Sequence, residues 1–325
     1  MKTMKKVLAL TLACLMLASL GLGLASCGNK GDYTVGIIQL VQHEALDAAT
    51  QGFKDALVAE FGDKVEFVEH NAQGDSNACN TAANDLVTKK VDLIMANATP
   101  ALQSAASATA EIPILGTSVT DYVTALDIKG EFNGVVGGNI SGTSDLAPLD
   151  KQAAMIKELY PNAATVGILY CSAEANSKFQ AAEIRKELIA LGWDKDSIKD
   201  FTFSASSEVA TVSAAAAAAC DVLYVPTDNT AADCTETILG AIGNTPVIAG
   251  EAGICSGCGV ATLSIDYYEL GKITGEMAVK ILKGEKKVSE MAIEYAPATT
   301  KMYNADRCQA LGLTLPTDYV AISKD

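Results

Sequence analysis

Short apolar runs punctuate this chain: "YTVGIIQ" (Tyr33 to Gln39), "IPILGTS" (Ile112 to Ser118), "ATVGILY" (Ala164 to Tyr170) and "VLYVP" (Val222 to Pro226). Between them lie longer stretches in which apolar residues recur every three or four positions, such as "HEALDAATQGFKDALVAEFG" and "NSKFQAAEIRKELIALGW". Runs without polar alternation predict strands buried on both faces, and the longer period predicts helices packed against them. Regular alternation of the two predicts βαβ units and parallel sheets.

The pattern occurs twice. "YTVGIIQ" matches "ATVGILY", "KVEFVEH" matches "IKDFTF", "AANDLVTKKVDLIMANATPALQSA" matches "VSAAAAAACDVLYVPTDNTAADC", and "IPILGTS" matches "TPVIAGE". The offset stays at about 130 residues at each landmark, the mark of a duplication. Each half reads strand–helix–strand–helix–strand–helix–strand, so the fold class is α/β, with two similar Rossmann-like lobes. A Gly/Ser-rich segment, "GVVGGNISGTSDLAPLD" (Gly134 to Asp150), reads as the connection between them. A long amphipathic helix ("SIDYYELGKITGEMAVKILKGEKK") and two short strand-like runs ("MAIEYAP", "TKMYN") follow the second copy, so the chain has material to recross a hinge. The expected partition is 33–120 plus roughly 255–290 for the N-terminal lobe, and 121–254 plus roughly 291–325 for the C-terminal lobe.

Residues 1–26 are set apart. Lys2, Lys5 and Lys6 precede the apolar segment "VLALTLACLMLASLGLGLA", the plan of an export signal. An uncleaved membrane anchor is the competing reading, since the segment approaches spanning length. The small-residue ending favours cleavage, and Leu24-Ala25-Ser26-Cys27 resembles the lipobox of bacterial lipoproteins. That resemblance implies a diacylglyceryl group on Cys27, a lipid-anchored tether over 27–32, and a place on the outer face of the cytoplasmic membrane. Two acyl chains suffice for stable anchoring.

With 325 residues and almost half of them hydrophobic, the chain has ample material for two cores. Its net charge is −15, and −18 once the three leader lysines are gone. Such a balance excludes phosphate-backbone binding, so no nucleic acid is expected. Seven cysteines remain beyond Cys14 and Cys27, an odd set unlike a disulfide framework. Cys255-Ser-Gly-Cys258 has the spacing of half a zinc site or of a redox pair, but no second C-x-x-C completes it. No metal and no cofactor are expected.

Nucleotide-binding and hydrolase motifs are absent. The strand tips are richer. In open parallel sheets ligands sit beyond the carboxyl ends of the strands. There the chain places Gln42 and His43, Thr99 before Pro100, Tyr170, Glu174, Asp228 with Asn229, and Glu251. Superposing the repeats sets Thr99 against Asp228, His43 against Glu174, and Ser118 against Glu251. One lobe thus offers hydroxyls and helix starts, the other carboxylates. Thr99-Pro100 opens a helix able to receive a carboxylate. "NISGTSD", with Ser141 and Ser144, reads as a second small-anion cradle. Asp228 and Glu174 suit an ammonium group. Tyr170 is either core or a stacking platform. Each of these residues types also caps helices, and Asp75 and Asp145 are assigned to capping.

The lipobox, the duplicated lobes and the segments "YCSAEANS", "YVPTDNT", "VIAGE" and "IDYYELGKITGEMAVKILKGEK" together resemble substrate-binding lipoproteins of ABC importers, in the branch described as binding tryptophan or tyrosine. The resemblance covers the whole mature chain and implies the type I periplasmic-binding-protein fold, a hinge crossed about three times and a ligand in the cleft. It implies ligand contacts from Asp228, Asn229, Glu174, Asn176 and Thr99, from Thr117 to Asp121 in "TSVTD", and from Ser141 and Ser144. It also implies an ABC permease and its ATPase as partners. The chain departs from the family at "AGICSGCGVATLS", where relatives tend to carry a glycine-alanine turn. The expectation is therefore an extracytoplasmic receptor, not an enzyme, closing on a small zwitterion such as an amino acid with an apolar or aromatic side chain. A sensor for a membrane kinase and a secreted hydrolase using His43 are the alternatives.

Overall fold

The computed structural model describes residues 32–323. The leader, the tether and Cys27 lie outside the described residues. The chain runs β1 (Tyr33–Gln39), α1 (Glu44–Phe61), β2 (Val65–Asn71), α2 (Ser76–Lys89), β3 (Leu93–Asn97), α3 (Thr99–Ala108), β4 (Ile114–Val119), α4 (Tyr122–Ala125) and β5 (Ile140–Ser144). After α5 (Leu149–Leu159) the plan repeats: β6 (Val166–Cys171), α6 (Ala175–Ala190), β7 (Ile198–Phe203), α7 (Val209–Ala219), β8 (Val222–Val225), α8 (Asn229–Asp233), α9 (Thr235–Ile242) and β9 (Val247–Ala249). It closes with α10 (Ala252–Gly257), β10 (Ala261–Ile265), α11 (Tyr267–Leu282), β11 (Glu294–Tyr295), β12 (Thr299–Tyr303), α12 (Ala305–Ala310) and β13 (Val320–Ala321).

Two sheets result, in the orders β11-β5-β4-β3-β1-β2 and β13-β12-β10-β9-β8-β6-β7. Every pairing is parallel except β10 with β12. The duplication holds in register: Val35 stands opposite Leu93 as Val166 stands opposite Val222. Central strands such as "LIMAN" and "VLYV" are buried throughout, because helices cover both faces of each sheet.

One helix pairing is unusually close. Gly52 of α1 lies against Tyr268 O and Lys272 N of α11, Gly275 of α11 lies against Phe53 O of α1, and a Cβ on Gly271 would lie 1.9 Å from Ala49 O. Backbone therefore packs on backbone, and Phe53, Leu57 and Met277 complete the core beneath. This seam fixes α11 to the first lobe.

The chain crosses between lobes after Ser144, after Ile265 and after Tyr295, the three passages the resemblance implied. Sheet membership moves the expected boundaries. β5, placed beyond residue 120, pairs with β4 in the first sheet. β10, assigned to the first lobe by the 255–290 range, pairs with β9 in the second. The cause is apolar patterning that could not be seen locally: "NISGTSD" is polar yet buried, and is held as a strand by Met291 and Tyr295 returning alongside it. Among the described residues no helix is long and apolar enough to cross a membrane.

Candidate functional site

The tips of the first sheet carry stored strain. Ala98, between β3 and α3, has φ +88°, and Ser118, at the end of β4, has φ +52°. Such angles cost a side-chain-bearing residue roughly 1–3 kcal/mol and persist where surrounding structure imposes them. The two are neighbours, because Ala98 N donates to Thr117 O at 3.0 Å. Beside them the hydroxyls of Thr99 and Ser118 are buried, and neither finds a protein partner. A buried polar atom without a partner costs about 1–3 kcal/mol.

The tips of the second sheet are acidic, and their carboxylates are occupied. Asp228 takes the N–H of Cys171 at 2.6 Å and that of Ala231 at 2.8 Å, so it ties β6 to β8 and caps α8. Burial and the neighbouring Glu174 carboxylate push its pKa up. Glu174 receives Thr230 through N (2.9 Å) and Oγ1 (2.8 Å), Asn229 through N (3.2 Å) and Nδ2 (2.6 Å), and Asn176 Nδ2 at 3.1 Å. Glu251 caps α10 through the N–H groups of Gly253 and Ile254, and burial raises its pKa to about 7. Asn176 is buried, and its Oδ1 has no partner.

The two sets of tips face one another. His43 Nε2 lies 3.4 Å from Asn229 Oδ1, and Gln180 Nε2 of α6 lies 3.4 Å from Thr120 Oγ1. A cavity of about 250 Å³ is walled by Leu40, Val41 and Pro100 from the first lobe and by Cys171, Glu174 and Asn229 from the second. A second, of about 320 Å³, is walled by Gln42 and His43 on one side and Asp233 and Thr235 on the other. Thr99 and Asp228 are buried next to Pro100 and Asn229 in sequence, and neither lines either cavity. Burial holds the pKa of His43 below its ordinary value, against the pull of Asn229, Asp47, Glu174 and Asp233.

Other expected residues turn elsewhere. Thr117 Oγ1 lies 3.2 Å from both Thr143 Oγ1 and Thr274 Oγ1, a hydroxyl cluster gluing β4 and β5 to α11. Ser141 Oγ donates to Met291 O at 3.0 Å, and Ser144 Oγ donates to Thr120 O at 2.9 Å. Asp121 caps α4 through Thr124 N at 2.7 Å. Tyr170 shares the face of β6 that packs on α5 and α6, with Ile168, and burial raises its pKa. The reason is strand parity: alternate residues leave opposite faces, so a tip motif cannot contribute every side chain. Asp75 caps α2 as expected. Asp145 does not cap; it sits at the first crossing, receiving Thr120 Oγ1 and Tyr267 Oη, each at 3.0 Å.

Cys171 and Gln180 are the residues sequence reasoning left out. Ser118 lay within the "TSVTD" stretch, and only its backbone angle singles it out. Gln180 follows Asn176 by four positions, the same face of α6, a signal that was available. Cys255 lies on α10 and Cys258 in the turn that ends it, both fully buried and neither in a disulfide, with burial raising their thiol pKa values. Among the described residues no cluster of His, Cys, Asp and Glu could hold a metal ion. His43 Nε2 faces an amide oxygen, not a hydroxyl or thiol nucleophile.

Comparison with known proteins gives a consistent picture. The family model for ABC transporter substrate binding proteins matches residues 34–324. A tyrosine-binding protein of Clostridioides difficile (strain R20291) is 36% identical over 291 residues, covering 88% of this chain and 82% of the relative. The structure of an ABC domain in complex with L-Trp from Streptococcus pneumonia superimposes with a TM-score of 0.82 at 31% identity, over 88% of this chain and 96% of that one. The ligand-free, open structure of a substrate-binding protein with adhesive properties from Clostridium difficile gives 0.68 at 36% identity, over 90% and 100%. The better fit goes with the lower identity. The contacts of His43 and Gln180 join residues of the two lobes.

Proposed function

Taking as premise that the chain belongs to the family of ABC transporter substrate-binding proteins, we propose that it captures an amino acid with an aromatic side chain and hands it to an ABC importer. The observation that carries this reading is the pair of unpartnered, buried hydroxyls on Thr99 and Ser118, at strand tips of the lobe that meets the acidic lobe across the His43–Asn229 contact. The ligand carboxylate accepts from these hydroxyls near the start of α3, where backbone N–H groups add their dipoles. The ammonium group turns to Asn176 Oδ1, whose lobe carries the acidic strand tips. The side chain lies against Leu40, Val41, Pro100 and Cys171. Closure excludes water, which strengthens each charged contact, and the ligand favours the closed form only by binding it more tightly than the open one.

The family and the relatives' named ligands support this assignment, as does a cleft whose two walls differ in polarity. Capture proceeds without covalent chemistry and without a cofactor. Cys27 carries the lipid anchor, which holds the receptor at the outer face of the membrane beside its permease and ATPase.

Isothermal titration with L-tyrosine and L-tryptophan tests the ligand. Binding of one or both is expected, with loss on methyl esterification or on removal of the amino group. A protein that binds neither, or that binds esters as well as free acids, ends this reading. Metabolic labelling with a fatty-acid probe, abolished by Cys27→Ala, tests the anchor.

A further inference from the structure

The crevice mouth is divided in two, and a single side-chain pair stands between the parts. Asn229 lines the cavity that contains Leu40 and Pro100, and His43 lines the one that contains Gln42 and Thr235; Asp233 borders both. His43 starts α1 in the first lobe, and Asn229 starts α8 in the second. Their 3.4 Å contact joins residues 186 positions apart.

The direction of that contact is set from behind. Asn229 Nδ2 donates to Glu174 Oε2 at 2.6 Å, so its amide oxygen is the atom turned toward the imidazole. An amide oxygen only accepts, so His43 must present a proton on Nε2. Glu174 in turn is saturated by its own lobe: its two oxygens gather the donors of Asn176, Asn229 and Thr230. Sequence reasoning expected Glu174 to touch ligand. Its hydrogen bonds serve the first turn of α8 instead.

Resting on the reading of the lobes as a ligand clamp, we propose that His43 and Asn229 form a closing latch, and that Glu174 is the positioning residue that aims it. The latch exists only when the lobes meet, so it stabilises the closed form without touching the ligand. Such a contact acts on escape rather than on capture, because association takes place while the lobes are apart. The charged groups facing His43 are Asp47 on its own helix and Glu174 and Asp233 across the seam, with Glu44 next in the chain. All are carboxylates, acceptors like the Oδ1 of Asn229, and it is Asn229 Oδ1 that lies within hydrogen-bond distance of Nε2.

Stopped-flow binding of L-tyrosine and L-tryptophan to the full chain provides the test. His43→Ala and Asn229→Ala are each expected to speed release roughly fivefold, the effect of one hydrogen bond, with association changed less than about twofold. The double variant should match the singles, since they remove one shared contact. Glu174→Gln should speed release likewise, and should add nothing to His43→Ala. His43→Gln, which retains a donor at similar reach, should restore release to near wild type. Circular dichroism and thermal melts confirm that each variant folds. Release unchanged in the singles, additive effects in the double, or slowed association with normal release would overturn the latch. If the wild type binds neither amino acid, the ligand assignment fails separately. Small-angle scattering of the ligand-free chain then decides the latch: the singles must shift toward a more open form, and unchanged scattering would overturn it.

Discussion

Asp228 accepts the backbone N–H of Cys171 at 2.6 Å, so one carboxylate joins the tips of two adjacent strands while capping the helix that follows. Removing it leaves a buried N–H unsatisfied and α8 uncapped. Asp228→Ala should therefore lower unfolding stability by about 2–4 kcal/mol, from a cap worth about 1 and an orphaned donor worth 1–3. Urea denaturation measures this, and a variant within 0.5 kcal/mol of wild type, about the error of such a measurement, would show that the tip is held by other means. Amino-acid affinity should fall at least tenfold in the same variant, about 1.4 kcal/mol.

Thr99 separates binding from stability more cleanly. Its hydroxyl has no protein partner, so Thr99→Val removes no internal hydrogen bond and keeps the branched shape. The ligand-free protein should melt at the same temperature or higher, while amino-acid affinity drops roughly tenfold, the cost of one hydrogen bond to a charged group. Equal affinity in titration calorimetry would remove this hydroxyl from the site.

Burial raises Asp145 to about 6 and Glu251 to about 7, and it pushes Asp228 up as well. Unfolded carboxylates titrate near 4. Between those values the folded chain holds protons that the unfolded chain has released. Stability from these groups is thus fully present below about pH 4 and is lost as pH rises toward 7. His43 works in the opposite sense, since its lowered pKa resists protonation, but it is one group against three. Surface carboxylates with lowered pKa values, such as Asp85 and Asp221, lose their contribution in stronger acid. Melting temperature should be higher at pH 5.5 than at pH 8, and a rise across that interval would contradict the assignment.

The α1–α11 seam has no room for a methyl group. Gly271→Ala would set a Cβ 1.9 Å from Ala49 O, which is backbone and cannot rotate away. The two helices must separate, at a cost of about 1–3 kcal/mol or more. The same substitution at Gly240, inside α9 with open surroundings, should raise the melt slightly, since alanine favours a helix over glycine by about 1 kcal/mol. Thermal melts of the two variants check the contrast.

The α/β class, the duplication and the order of strands and helices were legible in the sequence, because hydrophobic periodicity is a local consequence of which face of each element is buried. So were the helix starts at Thr99 and Asp228. Lobe membership was not: "NISGTSD" and "ATLSI" join sheets through neighbours that arrive from distant parts of the chain. Nor could residue type tell Thr99, whose hydroxyl has no protein partner, from Thr117, which is consumed by Thr143 and Thr274.

The chain alone established two like halves, one carrying hydroxyls and the other carboxylates at its strand tips. Only the folded arrangement decided which side chains remain unspent. Polar atoms partner whatever lies nearest, and nearness between residues far apart in sequence is a property of the packed molecule.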